Sequence, residues 1–244
     1  MITPRLEKPA STGRAAVAKN VILDGRLALF HDSDRWLTVA DLHFGYELSQ
    51  RAAGNLFPLW GMQTIEARLL ELLRDYEPAH LILLGDLVHN RTGAAELEHL
   101  LRKLKKKCEV ILIAGNHDRH LQNFATSSTC PAPAERRGRV SAGAEPGFHL
   151  VNSWQCGDFY FHHGHGKNET IAGIQIVGHH HPAVTIRDGA GLRLKLPAFI
   201  QEGANWIMPA FSPWAAGAEW TGSEQAVRWL CSPQRILKAA NEIR

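Results

Sequence analysis

The chain has 244 residues, 27 Lys+Arg against 24 Asp+Glu, and a formal net charge of +3 with histidine neutral. At 45% hydrophobic residues it has ample material for a core, which excludes disorder as the main state. Its apolar runs, such as 81–84 and 110–114, fall far short of the roughly 18 residues a membrane span needs, and +3 is too small a charge to argue for nucleic acid by itself.

Residues 1–19 read as a loose N-terminal arm, and residues 20–244 as one domain. The arm has no apolar segment of a secretory signal. The four cysteines, Cys108, Cys130, Cys156 and Cys231, include no CxxC pair. A disulfide framework or thiolate zinc site is therefore not expected, and a reducing cytoplasm is. Segments 21–23 and 26–30 flank Asp24-Gly25, a hairpin signal. Residues 36–40 form a short apolar strand that runs into Asp41. In 62–76, Ile65, Leu69, Leu72, Leu73 and Tyr76 recur at spacings of three and four, which predicts an amphipathic helix that Pro78 ends. Strands are predicted at 81–84 and 110–114, with a second helix at 94–106 between them. This β-α-β-α-β alternation argues for a parallel sheet flanked by helices. Residues 122–147 carry several Pro, Gly and Ser without periodicity and read as a long surface loop. The second half is strand-rich: 159–162, 174–177, 183–187, 192–199, 206–208, and a last hairpin of 226–231 and 235–239.

Histidine is abundant, 14 in all, and the polar residues fall at strand ends. The strands run, in order, into Asp41-Leu42-His43, Gly85-Asp86, Gly115-Asn116-His117-Asp118, His163-Gly164-His165 and Gly178-His179-His180-His181. In an open parallel sheet the carboxyl ends of the strands line the ligand crevice, so five such clusters converge. Mixed carboxylate and imidazole donors suit Mn²⁺, Fe and Zn²⁺. Two such ions can clamp a phosphate and activate water. A glycine before Asp86, Asn116 and His179 lets the chain turn sharply into the crevice. Taken singly, an Asp-x-His or a Gly-Asp after a strand is usually a turn, whereas Gly-Asn-His-Asp after an apolar strand is much rarer. The specific signal is the ordered set.

That ordered set, over residues 41–181, resembles the signature of the calcineurin-like metallophosphoesterases. The resemblance implies an α/β fold of two packed mixed β-sheets flanked by helices, a four-layer α-β-β-α arrangement with the site at the sheet edge. It implies that Asp41, His43 and His181 hold one divalent ion, that Asn116, His163 and His179 hold a second, and that Asp86 bridges them. Mn is the favoured metal, with Fe or Zn as alternatives. His117 would contact the phosphate and protonate the leaving oxygen, with Asp118 orienting its ring. The segments Asp41-Leu42-His43-Phe44-Gly45, Gly115 to Arg119, His179-x-His181-Pro182, Leu196-Pro197-Ala198-Phe199 and Met208-Pro209-Ala210-Phe211 are similar to one branch. That branch is the ligase-associated DNA damage response phosphoesterases, predicted endonucleases related to the SbcD nuclease subunit. It implies a DNA-directed phosphodiesterase in repair, associated with a ligase or helicase and with no membrane partner.

Parity along a strand turns His162 away from His163. His180 is expected to face solvent, and His89 and His165 are candidates for the crevice rim. Arg51, Arg91 and Arg119, in loops after ligand strands, are the expected substrate contacts. The basic cluster Arg102, Lys103, Lys105, Lys106 and Lys107 fits a solvated helix end. Trp60, Trp206, Trp214 and Trp220 are either packing residues or base-stacking ones. The alternatives to a DNA enzyme are a small-molecule or cyclic-nucleotide phosphatase or phosphodiesterase and, less favoured with all ligands present, a non-catalytic scaffold.

Overall fold

The computed structural model describes residues 13–119, 121, 148, 150–166, 173–187 and 190–239. The loop expected at 122–147, Cys130 and residues 1–12 of the expected arm lie outside them. Strands β1 (Arg14–Ala18), β2 (Val21–Asp24), β3 (Ala28–His31), β4 (Trp36–Ala40), β5 (His80–Leu84), β6 (Glu109–Ile113) and β7 (Leu150–Val151) form one seven-stranded sheet in that order. Its first four strands pair antiparallel and β4 to β7 pair parallel. The arm expected through residue 19 thus includes a paired strand: the alternation of half-buried and exposed residues in β1 matches a sheet edge. The hairpin at Asp24-Gly25 forms with a three-residue connection, because Leu27 takes a left-handed φ of 69° and β3 begins at Ala28.

The second sheet holds β8 (Ser153–Cys156), β9 (Phe159–His162), β10 (Ile174–Val177), β11 (Pro182–Arg187), β12 (Arg193–Glu202), β13 (Asn205–Ile207), β14 (Ala218–Glu219), β15 (Val227–Ser232) and β16 (Arg235–Ala239). Its main path runs β14-β11-β12-β13-β10-β9-β8, and the β15–β16 hairpin joins through β12. Both sheets are mixed. Between them lies a core of Leu23, Leu29, Trp36, Ile82, Ile113, Phe161, Ile176, Phe199 and Trp206. Alternate residues of β4 and β5 face the other way, toward helices, so these central strands are buried on both faces.

Helices α1 (Tyr46–Ala52), α2 (Gly61–Tyr76) and α3 (Ala94–Lys105) flank the sandwich. The predicted stripe of α2 packs with Leu97, Leu100, Leu101 and Leu104 of α3 over Leu37, Val39, Leu81 and Leu83. Glu77 closes α2 in the left-handed conformation, ahead of Pro78. Among the described residues no α-helix follows α3, so the α-helical layer described lies on the first sheet. No described helix is long and apolar enough to cross a membrane. Cys108, Cys156 and Cys231 are free thiols.

Candidate metal centre

Register brings the polar clusters together. Ala40, Leu84 and Ile113 are side by side at the ends of parallel β4, β5 and β6, and His162 is beside Val177 at the ends of β9 and β10. The residues just beyond these strands therefore project from one edge of the sandwich. The loops after β4 and β5 are tied by His43 N–H to the Asp86 carbonyl (2.8 Å) and Phe44 N–H to the Leu87 carbonyl (2.9 Å).

Donor atoms of Asp41, His43, Asp86 and His181 all lie within 4.8 Å of one another, and those of Asp86, His163 and His179 do the same. Asp86 belongs to both groups. His43 Nε2 and His181 Nε2 are 3.3 Å apart, and His181 Nε2 is 3.5 Å from Asp41 Oδ1. His163 Nε2 is 3.4 Å from Asp86 Oδ1 and 3.2 Å from Asn116 Oδ1, which adds Asn116 to the second group. Asp41, Asp86 and His163 are buried. Backbone N–H groups hold the carboxylates: His179 donates to Asp41 (2.9 Å) and His117 to Asp86 (3.0 Å).

The backbone is strained where these side chains start. Asp41, His43, Asp86, His179 and His181 all have φ between 43° and 68°. Left-handed backbone is costly for residues with a Cβ and clusters at functional sites. The glycines act in two ways. Gly85 takes φ 73° and lies under the His163 ring, where a Cβ would sit 2.0 Å from Nδ1. Gly115 does not have a positive φ and works by closeness alone, since its Cβ would meet Asp86 N at 2.1 Å.

Electrostatics fits a cation. Burial, with the charges of neighbouring His181 and His117 acting the same way against an opposing Asp86, pulls His43 down to about 3, so its imidazole is neutral and keeps a lone pair. Its Nδ1 is buried without a hydrogen-bond partner. Burial pushes the Asp86 carboxyl up, but hydrogen bonds from His163 and the His117 N–H outweigh it and leave Asp86 well below the usual carboxylate range. Burial pulls His163 down, and Asp86 and Asp41 more than reverse this. A neutral imidazole at His43 and a carboxylate held ionised at Asp86, with further imidazole and carboxylate donors 3–4 Å away, form a donor set that suits divalent transition metals.

His117 sits over this edge, its ring 5.3 Å from that of His43. The ring partner expected in Asp118 is a different group: His117 Nδ1 lies 3.1 Å from the carbonyl of His89. Asp118 is buried and accepts three backbone N–H groups, from Leu87 (2.8 Å), Val88 (3.2 Å) and Gly115 (2.8 Å). Burial raises its carboxyl to about 6 against those three donors, so it is ionised at neutral pH. Asp118 positions the loops after β5 and β6 and not the His117 ring. Sequence reasoning underweighted His89, whose ring stacks on His117 (5.6 Å) and meets Tyr46 edge-on (4.7 Å). Its signal was the spacing of three residues after Asp86.

His162 turns aside as parity predicts and meets Gln175 on the neighbouring strand (3.0 Å). His180 is exposed. His165 lines a recess of about 300 Å³ with Asn116, Asp118 and Arg119. Arg51, Arg91 and Arg119 are all exposed, but Arg51 belongs to the last turn of α1 and Arg91 to a single 3₁₀ turn, where loops were expected. Trp206 is a core residue, whereas Trp60 is 43% exposed and packs on Trp214.

The crystal structure of Pseudomonas putida nuclease MPE superposes with a TM-score of 0.63 at 25% identity, covering 96% of this chain and 100% of that one. Yfce, a phosphoesterase from E. coli, superposes with a TM-score of 0.40 at 18% identity, covering 80% of this chain and 86% of that one. No curated protein matches the chain. The model of the calcineurin-like phosphoesterases matches residues 35–238. That span takes in both sheets' strand ends and every clustered donor, and the chain accordingly belongs to the calcineurin-like phosphoesterases, which are metal-dependent hydrolases.

Proposed function

We propose that the protein is a two-metal phosphodiesterase that cleaves DNA. The observation that carries the two-metal part is the sharing of Asp86 between two donor groups. In this assignment Asp41, His43 and His181 hold one ion, Asn116, His163 and His179 the other, and Asp86 both. Two divalent ions held there, with Mn favoured over Fe or Zn, would supply Lewis-acid charge and a source of hydroxide at neutral pH. His117 does the proton work. A carbonyl can only accept, so the His89 carbonyl fixes the hydrogen on His117 Nδ1. Nε2 is left to donate to the leaving oxygen from the imidazolium form.

DNA as substrate is supported by the likeness to a nuclease over nearly the whole chain, by the branch resemblance, and by the exposed Arg51, Arg91 and Arg119. A place in DNA repair beside a ligase or helicase, and in the cytoplasm, carries over from the sequence reading alone. The test is a panel of p-nitrophenyl phosphate, bis-p-nitrophenyl phosphate, cyclic nucleotides, and single-stranded and duplex DNA, run with Mn²⁺, Fe²⁺ and Zn²⁺. Cleavage of a DNA form is the expected result. Turnover of cyclic nucleotides or monoesters with no DNA cleavage overturns the DNA assignment, and no turnover of any ester overturns the whole proposal.

A further inference from the structure

A second recess of about 300 Å³ adjoins the centre on the side of His181, which forms part of its wall. Two cations line it. Arg68, on α2, donates from Nη1 to the Phe211 carbonyl (3.0 Å) and lies over the Phe211 ring, 4.7 Å from its centroid. Lys195, on β12, donates from Nζ to the Gly217 carbonyl (2.6 Å). Neither cation has a carboxylate in ion-pair contact among the described residues. The guanidinium is half-buried, and burial pulls its pKa down, with Glu71 offsetting part of that through space. Arg26, another half-buried arginine, is by contrast paired with Asp24 and Asp75. Charge left unpaired beside a cavity costs stability, unless an anion fills the cavity.

The lining also decides what kind of anion. Apart from His181, Arg68, Lys195 and Ser212 it is Leu, Pro, Ala and Gly, with no aromatic face or amide edge that would read a base. A guanidinium fork, which keeps most of its five donors, and an ammonium with three suit a group with several oxygens. The recess is coupled to the centre through its own loop, because Ser212 N–H donates to the Asp41 carbonyl (3.2 Å).

We infer that this recess is a second phosphate subsite, which seats the phosphate next to the scissile one along a nucleotide chain through Arg68, Lys195 and Ser212. The inference rests on the phosphodiesterase reading above. It makes the enzyme measure chain continuity: a diester with a neighbouring phosphate is preferred over an isolated one.

The test compares thymidylyl-thymidine with its 5′-phosphorylated and 3′-phosphorylated forms, with Mn²⁺ present. The expected result is a kcat/KM higher by about tenfold for one phosphorylated form, the size of one charge-assisted contact. In Lys195→Ala and Arg68→Gln that ratio falls toward one, and in Arg68→Lys it recovers in part. Lys195 is exposed, so its variant is expected to fold even if an Arg68 variant does not. A wild-type ratio of one overturns the subsite. So does a fall in both rates at constant ratio, which is what simple pinning of the 211–217 loop gives. Failure of the phosphodiesterase reading looks different, since no dinucleotide form is then cleaved. In that case titration of the Mn²⁺-loaded protein with deoxyadenosine 3′,5′-bisphosphate and with the 5′-monophosphate decides: tighter binding of the bisphosphate that Lys195→Ala abolishes supports the subsite, and equal affinities overturn it.

Discussion

The hydrogen bond from His117 Nδ1 to the His89 carbonyl and the three N–H bonds to Asp118 separate two neighbouring residues by role. His117→Ala should leave metal content intact and lower turnover by roughly 10²–10⁴-fold, the range for a general acid. The loss should shrink for p-nitrophenyl esters, whose leaving group needs no proton; an equal loss for good and poor leaving groups would assign His117 to binding instead. Asp118→Ala should strand three N–H groups, all of them on buried residues, and destabilise the fold by about 3 kcal/mol or more, measured by denaturant unfolding. Its activity loss should not depend on the leaving group, because Asp118 acts through loop position. At this scale the identities of the site residues were legible, since carboxylates and imidazoles just past apolar strands stand out in a linear pattern. The partner of His117 was not legible: residues 87–89 and 115–118 meet only once parallel β5 and β6 are in register.

Among the elements, the hydrophobic stripe revealed α2 and α3, because 16 and 12 residues span several turns. Helix α1 has seven residues and buries Glu47 and Ser49, so it offers no apolar period. Its purpose is visible only in contacts: Glu47 accepts from Met62 N–H at the start of α2 (2.7 Å) and from Trp214 Nε1 (2.9 Å). A carboxylate at a helix N-terminus is favourable, and this one stands in for the missing side-chain cap. The elements also sort the basic residues. Arg102 is paired with Glu98 (2.5 Å) and Lys103 with Glu66 (2.7 Å), whereas Arg51, Arg91 and Arg119 are exposed, and Arg119 lines a recess with Asn116. If the three arginines contact DNA phosphates, the binding constant should fall with salt at a log–log slope of roughly −2. Replacing one of them should make the slope shallower by about one unit on any sequence. Changes in the 102–107 cluster should leave the slope where it is, and a slope that responds only to that cluster would move the DNA path to the end of α3.

Taken whole, the molecule is a sandwich whose strand boundaries were easier to read than its strand order. Segments 159–162, 174–177 and 235–239 have the bounds expected from their apolar runs. The order β14-β11-β12-β13-β10-β9-β8 depends on pairings between distant segments, which no local pattern encodes. The two-residue strands β7 and β14 are too short to show alternation.

The five left-handed donor residues have a consequence at this scale. At about 1 kcal/mol each they weigh against the empty fold by about 5 kcal/mol, comparable to the whole margin of a small domain. His181, at φ 44°, gives the cleanest measure. His181→Gly and His181→Ala both delete the same donor, so they differ only in backbone. In chelator the glycine variant should melt about 2–4 °C above the alanine variant, as measured by scanning fluorimetry. At an ordinary helix or strand position alanine would be the more stable of the two, so that order would show that no strain resides there. A folded chain of this kind is tensest where it is meant to be filled. Its resistance to heat then becomes a gauge of occupancy, and metal scarcity should reach the cell as a shortened lifetime of the protein as well as a loss of turnover.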